Sequence, residues 1–292
     1  MRRIIRLSAM CLVAGAAMSA CSPETVINTP VTPTAGVRFI NAVPDSAGAF
    51  GLDFRFVDIV ESNAQFRVPF RNAPATSAGV TASSLTQYKA AAAGSRHFVI
   101  FLDDTIQTIA TTKLKDSTLT LVDGKNYTVI LWGAARAGQM KLTVIEESIT
   151  DPGSSKVALR VVNAGAGAID VRTYPTGGTL PAAATWSNVQ NYALSSFVTA
   201  DTGSITYNVQ PAGGGTALFT DMVALLGAPA SSSAGAGGKL DIDPLPGTRV
   251  GGSAVTLVVY PRSTAASRTP QTAAFQVPAG AFMWDRRPAR GF

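Results

Sequence analysis

Short runs of alternating apolar and polar residues dominate the chain from residue 37 onward. In the run 37–42, Val37 and Phe39 fall on one side of an extended backbone, and Arg38 and Ile40 fall on the other. The runs are rich in β-branched and aromatic residues, and turn residues separate them about every 8–12 positions. The pattern predicts an all-β protein made of immunoglobulin-like antiparallel β-sandwiches.

The strands predicted before residue 150 are 37–42, 52–56, 97–102, 105–114, 119–122, 127–132 and 139–146. Asp123-Gly124 lies between two of them and predicts a tight hairpin turn. The alanine run 90–93 favours a helix by propensity, but it is too short to form one alone. We therefore assign that run to a connection.

The chain contains an internal repeat. Segment 37–42 recurs as 159–164, where an Arg and an Asn stand 122 positions after their first occurrence. A second segment that contains Asp53 recurs with Asp170. The positions that follow also recur, with Tyr88, Gly94 and Phe98 matching Phe197, Gly203 and Tyr207. The spacing decreases along the chain, as expected when loops change length and strands do not, so the sequence predicts two related domains in tandem.

The predicted domains are residues 36–150 and 151–292. Asp151 is followed by Pro and Gly, which end the last strand of the first domain. In the second domain, the stretch after Pro229 contains only Ala, Ser and Gly up to residue 238. That composition predicts a mobile loop, and we assign 229–247 to a flexible insertion.

The C-terminal segment 281–284 contains Phe, Met and Trp together, which is unusual for a disordered tail. We predict a strand that pairs within the second domain, buries Trp284 and ends at or before Arg287, because Pro288 cannot donate to a ladder. The charged residues that follow Trp284 are predicted to lie at the sheet margin, in water or against the membrane surface. A recognition tail for a sorting or assembly partner is the alternative.

The repeated polar residues are the most informative candidates within the two domains. Arg38 and Asp53 both fall on faces opposite the core, so neighbouring strands would allow the two side chains to pair. The same argument pairs Arg160 with Asp170. The repeated Asn41 and Asn163 stand at strand ends, where an Asn side chain can bond the backbone of the following turn.

The repeated order of motifs resembles the bacterial domain-of-unknown-function 4397 family. The motifs are an apolar-Arg-apolar-apolar-Asn-Ala strand, an apolar-Asp-apolar strand, and an aromatic residue before a Gly-led strand. The resemblance covers about 36–148 and 156–262, and the low-complexity insertion departs from the pattern. It implies secreted or lipid-anchored β-sandwich modules, often in tandem, and it implies no activity.

The N-terminus has the features of a lipoprotein signal peptide. Residues 1–20 begin with three arginines and continue with an apolar run too short to span a bilayer. Ser19 and Ala20 precede Cys21, which predicts cleavage before Cys21 and acylation of it. Residues 21–35 follow as the lipidated Cys and a flexible, Pro- and Thr-rich tether.

Charge and cysteine content narrow the possible partners. The formal net charge of +6 includes three arginines of the signal peptide, so the predicted mature chain carries +3. No basic stripe interleaved with aromatic residues is present in the sequence, which argues against nucleic acid as a partner. The other cysteine, Cys11, lies in the removed segment, so the domains have no disulfide.

Candidate catalytic residues are sparse. The single histidine, His97, begins an apolar strand and is interpreted as a strand-edge residue. The pairs 103–104 and 146–147 are adjacent acids at strand ends, where solvated loop carboxylates are expected. Gly165-Ala166-Gly167 is followed by a strand, which excludes a dinucleotide loop. The acids at 241 and 243 lack the further spaced acids of a calcium loop.

We therefore expect a protein without catalytic residues, metal or cofactor. The expected function is a non-catalytic envelope or cell-surface module for binding, adhesion or structural support, with an envelope protein or a glycan as partner. The expected location is a lipid anchor in the bacterial cell envelope, at the periplasmic or surface face of the outer membrane. The alternative is an envelope hydrolase that uses loop carboxylates.

Overall fold

The computed structural model describes residues 32–45, 51–59, 67–72, 88–235 and 238–288, with the backbone only for 232–242. Nearly all of the regular structure in these residues is β-strand. Within the same residues, no helix is both long enough and apolar enough to cross a membrane. The predicted signal peptide, Cys21 and most of the tether lie outside the described residues.

The first half of the chain forms two four-stranded sheets. Its strands are β1 Thr34–Ala42, β2 Leu52–Phe56, β3 Arg67–Val68, β4 Lys89–Ala92, β5 Gly94–Leu102, β6 Lys113–Leu121, β7 Asn126–Trp132 and β8 Lys141–Glu147, with a short helix α1 Gln107–Ala110 between β5 and β6. Strands β4-β1-β7-β8 form the first inner sheet, and β3-β2-β5-β6 form the first outer sheet. Their facing sides enclose one hydrophobic core.

The second half forms a second sandwich. Its strands are β9 Lys156–Asn163, β10 Ile169–Pro175, β11 Trp186–Val189, β12 Ala193–Leu194, β13 Val198–Asp201, β14 Ile205–Pro211, β15 Met222–Val223, β16 Ser231–Gly235, β17 Gly238–Ile242, β18 Ala254–Tyr260 and β19 Ala279–Arg286, with a 3-10 turn Ala273–Phe275 before β19. The second inner sheet contains β12, β13, β9, β18 and β19, and the second outer sheet is β11-β10-β14-β15.

The two sandwiches share one succession of strands. In each, the first strand of the repeat pairs in parallel with a strand near the end of its half, β1 with β7 and β9 with β18. The other pairs are antiparallel. The prediction of an all-β sandwich protein is therefore confirmed, and the inner sheets are mixed rather than purely antiparallel. The immunoglobulin-like arrangement stays a prediction.

The alternation read from the sequence places the predicted side chains in the cores. Val37 and Phe39 of β1 point between the sheets of the first sandwich, where Phe39 packs against Phe54 and Phe98 with ring centroids 5.3 and 5.5 Å apart. Tyr207 is the residue of the second sandwich that the repeat aligns with Phe98. It fills the equivalent space in the core of the second sandwich. The side chains between each pair of sheets are thus set by strand parity.

A third apolar cluster lies between the two inner sheets. Ile130 and Trp132 contribute from the first sandwich, and Val258, Tyr260 and Met283 contribute from the second. The inner sheets are consequently covered on both faces, and the described residues from Pro33 onward form one compact unit. The layers follow one another as outer sheet, inner sheet, inner sheet and outer sheet.

The connection from β18 to β19 strengthens this contact. Arg71, which has a left-handed backbone conformation with φ of 57°, donates to the carbonyl oxygen of Pro261 at 2.6 Å and to that of Phe275 at 3.2 Å. The backbone N–H of Thr264 donates to the carbonyl of Pro44 at 2.8 Å. Burial lowers the pKa of Arg71 to about 10. The second sandwich therefore holds a loop of the first through main-chain groups.

Three local predictions in the first half are wrong. The turn at Gly124 (φ 70°) does not close a hairpin, because β6 pairs with β5 in the outer sheet whereas β7 lies in the inner sheet. The predicted strand 105–114 is divided into α1 and the start of β6. The alanine run belongs to β4 and pairs with β1, since small side chains suit an edge strand beside Gly36.

Two predictions in the second half have different outcomes. Strand pairing replaces part of the loop predicted for 229–238, because β16 and β17 form a two-stranded antiparallel sheet through main-chain bonds that need no apolar side chain. The C-terminal strand is confirmed, since β19 pairs with β18, ends at Arg286 and buries Trp284.

Separating the sandwiches tests their mutual dependence. Each half, expressed as 33–150 or 151–292, would expose the apolar face around Ile130 or Val258 to water. We expect each isolated half to self-associate or to unfold at lower denaturant than the intact chain, and the mixed halves to form a one-to-one complex. Analytical ultracentrifugation and urea unfolding measure both. Two halves that are monomeric, fully stable and indifferent to each other would contradict the shared interface.

Candidate functional site

Four charged side chains meet between the inner sheets and form what we call the charge cluster: Arg38, Arg160, Glu147 and Asp285. Glu147 Oε1 lies 3.3 Å from Nη2 of Arg38 and 3.1 Å from Nη2 of Arg160. Asp285 Oδ1 lies 3.0 Å from Nη2 of Arg160 and also bonds Arg38. All four side chains are at most 6% exposed. Each acid therefore bridges an arginine of its own sandwich and one of the other.

The cluster has an approximate two-fold arrangement. Arg38 Nε donates to Thr128 Oγ1 at 2.7 Å, and Arg160 Nε donates to Thr256 Oγ1 at 3.0 Å. Each threonine lies directly beside its arginine in the parallel strand pair. The threonine hydroxyls donate in turn to the two acids, Thr128 to Glu147 at 2.7 Å and Thr256 to Asp285. The repeat thus places equivalent hydrogen bonds on both sides of the interface.

An aromatic ring covers each arginine. The guanidinium carbon of Arg38 lies 4.5 Å from the centre of the Tyr88 ring, and that of Arg160 lies 4.4 Å from the Phe197 ring. Tyr88 and Phe197 are the aromatic pair that the sequence repeat identifies. A cation above a ring face is stabilised by the ring quadrupole, and more so where water is excluded. The recurrence of these aromatic positions therefore has a physical explanation.

The surroundings keep both arginines charged. Burial acts to lower the pKa of Arg38, but Tyr88, Asp285 and Glu147 outweigh burial and raise it. Burial likewise acts to lower the pKa of Arg160, and the charges of Asp285 and Glu147 raise it overall. Two guanidinium groups and two carboxylates balance in formal charge. The cluster is thus a closed ionic network with no water-accessible reacting group.

The predicted pairing of repeat positions across a sheet is wrong. Arg38 lies in the first inner sheet, whereas Asp53 lies in the outer sheet on β2 and bonds Arg55. Arg160 and Asp170 are separated in the same way, and Asp170 instead accepts hydrogen bonds from main-chain N–H groups of two turns. Strand parity correctly excluded these side chains from the sandwich cores, but it cannot tell which sheet a strand joins.

The repeated asparagines act as turn residues. Asn41 Oδ1 accepts from the N–H of Val43 at 3.1 Å, and Asn163 Oδ1 accepts from the N–H of Gly165 at 3.2 Å. The amide nitrogens reach across the sandwich, to the carbonyls of Val68 and Val189, both at 2.9 Å. These contacts stabilise the strand ends, as the sequence position implies.

Two acids differ from their prediction as solvated residues. Sequence reasoning placed Glu147 at a strand end and Asp285 at a sheet margin. Both residues instead belong to the buried charge cluster. Sequence reasoning also missed Thr128 and Thr256. A threonine at the same place in the two matching strands, on the face opposite the core, was the available signal.

The remaining chemical candidates stay apart from one another. His97 Nε2 lies 2.7 Å from Asp116 Oδ1 on the exposed face of the first outer sheet, and Asp116 also binds Lys113. The side chain of Asp241 lies outside the described residues. Among the residues that are described, no three His, Cys, Asp or Glu side chains converge as a metal site would require.

A polar pocket of about 210 Å³ lies on the exposed face of the first outer sheet. It is lined by Asp53, Arg55, Phe101, Leu102, Asp103, Gln107, Ala110 and Thr111. β2 supplies Asp53 and Arg55, the end of β5 supplies Phe101, and α1 forms the opposite wall. Because Asp53 and Phe101 are direct partners across β2 and β5, they lie side by side on this face.

Both acids of the polar pocket are buried beside arginines. The side chain of Asp53 is 6% exposed and bonds Arg55, and the side chain of Asp103 is 3% exposed. Asp103 Oδ2 lies 3.0 Å from Arg67 Nε, an ion-pair distance without the alignment of a hydrogen bond. Burial raises the pKa of Asp103, with Asp53 and Asp104 adding to the rise and Arg67 opposing it.

Comparison with known proteins gives a match to one family model over part of the chain, and that family has no described activity. Residues 35–172 match the family model described as Domain of unknown function (DUF4397). The matched segment covers the whole first sandwich and continues through β9 into β10. No curated protein is significantly similar to the chain.

Removing one acid of the charge cluster tests its role. We expect Asp285→Ala to lower the free energy of unfolding by about 3–5 kcal/mol, because it leaves two buried arginines undercompensated. Adding Arg160→Met should restore part of the loss by removing one of those cations. Urea unfolding at neutral pH measures both variants.

Asp116→Ala is the matched control, since it removes an exposed acid that also binds a cation. It should cost no more than about 1 kcal/mol. An Asp285→Ala variant as stable as the Asp116→Ala variant would contradict the assigned role of the cluster.

Proposed function

We propose that this protein, which carries a DUF4397 domain, is a non-catalytic lipid-anchored module of the bacterial cell envelope. Its two sandwiches form a single body that presents binding surfaces away from the membrane. The observation that carries the proposal is the use of the repeated polar residues. Arg38 and Arg160 join the sandwiches, and Asn41, Asn163 and Asp170 hold turns.

Residues that repeat within one chain are the ones that both copies need. Here, Arg38, Arg160, Asn41, Asn163 and Asp170 have hydrogen-bond partners inside the protein and serve its stability. Binding would then depend on features that differ between the copies, such as the loops and the exposed faces of the outer sheets. A module of this kind needs no reacting group.

The anchor is supported by the sequence alone. Arg2, Arg3 and Arg6 precede a short apolar run, and Cys21 follows two small residues. Several acyl chains at one Cys would hold the protein stably, where a single chain binds a membrane only marginally. Ser22 at the next position is not the Asp that often retains lipoproteins at an inner membrane, which favours the outer membrane.

The alternative is an envelope hydrolase that uses loop carboxylates, and the polar pocket gives it a location. Asp53 and Asp103 both line that pocket, and a raised pKa is a property of general acids. Against this alternative, Asp53 bonds Arg55, and Asp103 Oδ2 lies 3.0 Å from Arg67 Nε, so both acids are already paired with arginines. We therefore favour binding without turnover.

Acylation of Cys21 is directly measurable. We expect the mature N-terminal peptide to begin at Cys21 and to carry a diacylglycerol and a further acyl chain, which mass spectrometry identifies. Metabolic labelling with palmitate should mark the wild type and a Cys11→Ser control but not Cys21→Ser. An unmodified Cys21, or cleavage at another residue, would refute the anchor.

A further inference from the structure

Both sandwiches begin at the same end of the molecule, which we call the tether end. Trp132 ends β7, the parallel partner of β1, and its ring lies 5.8 Å from that of Tyr192, whose N–H bonds the last residue of β9. The strands β1 and β9 therefore run in the same direction. β19 finishes beside the start of β9, where Arg286 bonds Asp151 in the connection between the sandwiches. The chain that follows Cys21 thus enters the folded body at the tether end.

Exposed apolar side chains are concentrated at the tether end. Within the described residues, ten large apolar side chains are at least 36% exposed, and six of them lie at this end. The six are Val57, Ile59, Val122, Leu180, Val223 and Leu245. Single exposed apolar residues are normal on a protein surface, but a concentration at one end indicates a contact with another apolar phase.

Three of the six belong to the first sandwich. Ala92, at the end of β4, pairs with Thr34 at the start of β1, so β5, which follows β4, also begins at the tether end. Strands β2 and β6 are antiparallel to β5 and finish near its beginning. Val57 and Ile59 follow β2, and Val122 follows β6. These side chains therefore lie at the end of the first outer sheet.

The other three belong to the second sandwich. Asp201 ends β13 and pairs with Lys156 at the start of β9, so β14, which follows, begins at the tether end. β10 finishes beside that beginning, and Leu180 lies in the connection after β10. Val223 pairs with the second residue of β14. Leu245 lies in the connection that bonds the turn before β14.

We infer that the tether end docks on the phospholipid surface of the membrane that holds Cys21, with the six apolar side chains in the headgroup layer. This inference rests on the proposed lipid anchor and adds an orientation to it. The six residues come from both outer sheets and the connections beside them. Four stacked sheets place the two outer sheets about 30 Å apart. A flat bilayer contacts both sides of the end at once, whereas a protein interface has a contiguous apolar core.

The length of the tether favours the same end. Pro33 stands twelve positions after Cys21, which gives a reach of at most about 40 Å. The nine residues of β1 extend over about 30 Å. The opposite end of the body would meet the bilayer only if the tether ran back along most of that length. The tether end needs no such path, and anchoring raises its effective concentration at the lipid surface.

The charges at the tether end suit phospholipid headgroups. Arg249 and Arg287 are exposed, and neither has an acid partner in the part of the chain that the structure describes. The guanidinium carbon of Arg287 lies 4.9 Å from the centre of the Trp284 ring. Lys125 and Lys156 at this end already bond acids. The two unpaired guanidinium groups are therefore the ones available to lipid phosphates, which arginine binds well.

Single-cysteine labelling measures which end contacts lipid. The predicted mature chain has Cys21 as its only cysteine, and the acyl group occupies its sulfur. Val122→Cys and Ile106→Cys therefore each introduce one labelling site, at positions that are 49% and 55% exposed and lie at opposite ends. The acylated protein is placed in vesicles of phosphatidylethanolamine and phosphatidylglycerol that contain a spin-labelled quencher lipid. We expect quenching of a fluorophore at 122 and none at 106. Equal quenching, or stronger quenching at 106, would overturn the inference.

Substitution of the apolar side chains tests their contribution. Ile59→Ser and Val122→Ser, introduced together, should lower the ratio of docked to undocked protein about tenfold, because two half-exposed aliphatic side chains no longer leave water. Quenching of a fluorophore at Leu180→Cys in the acylated protein measures this ratio. Ile106→Ser with Val277→Ser is the matched control at the opposite end and should change nothing. No loss from the first pair, or an equal loss from the control pair, would contradict docking.

A second copy of the chain is the competing occupant of the tether end. We expect the unacylated Cys21→Ser protein to be a monomer in analytical ultracentrifugation without lipid. A dimer that the Ile59→Ser and Val122→Ser pair abolishes would assign these side chains to self-association and overturn the inference.

The outcomes also separate docking from the proposed anchor. If Cys21 is acylated but the fluorophore at 122 is unquenched, docking fails and the anchored module stands. If Cys21 is not acylated, the anchor fails. Quenching at 122 when vesicles are added to the unacylated protein would then support docking by itself.

Discussion

The structure depends on two arginines that are buried between two sheets. Removing a guanidinium group from water is costly, and the cost is offset only where opposite charges and hydrogen-bond acceptors surround it. Neither sandwich meets that need alone, because Arg38 and Arg160 share Glu147 from one sandwich and Asp285 from the other. The charge cluster therefore fixes how the two sandwiches are placed against each other. The apolar residues around Trp132 and Tyr260 supply the buried area of the interface. Breaking the interface would expose an apolar surface and leave charges unpaired at the same time.

Sequence reasoning succeeded where local periodicity decides the outcome. The alternation in β1 put Val37 and Phe39 in a core and Arg38 on the opposite face, and the β19 segment was recognised from its apolar residues. Sequence reasoning failed where the burial of a side chain depends on whether another sheet packs against that face of its strand. Asp285 was expected in water because charged residues at a strand end usually are, and it is buried because the first inner sheet packs over that position. Periodicity likewise cannot assign a strand to a sheet, which is why Asp53 was paired with the wrong arginine.

The pocket illustrates a further limit of sequence reasoning. Asp53 and Asp170 occupy the same place in the repeat, and nothing in their immediate motifs distinguishes them. They differ because turns in the second sandwich bring N–H groups to Asp170, and because Phe101 replaces a glutamine across the strand pair. A duplicated fold can thus give the same carboxylate position different partners in its two copies.

The central claim is that the charge cluster joins the sandwiches into one cooperative unit. Differential scanning calorimetry of the mature protein tests it most directly, because independent domains unfold as separate transitions. The account predicts a single transition whose calorimetric enthalpy equals its van't Hoff enthalpy, the criterion of two-state unfolding. Two resolved transitions, or a calorimetric enthalpy close to twice the van't Hoff value, would show that the sandwiches unfold independently and would contradict the account.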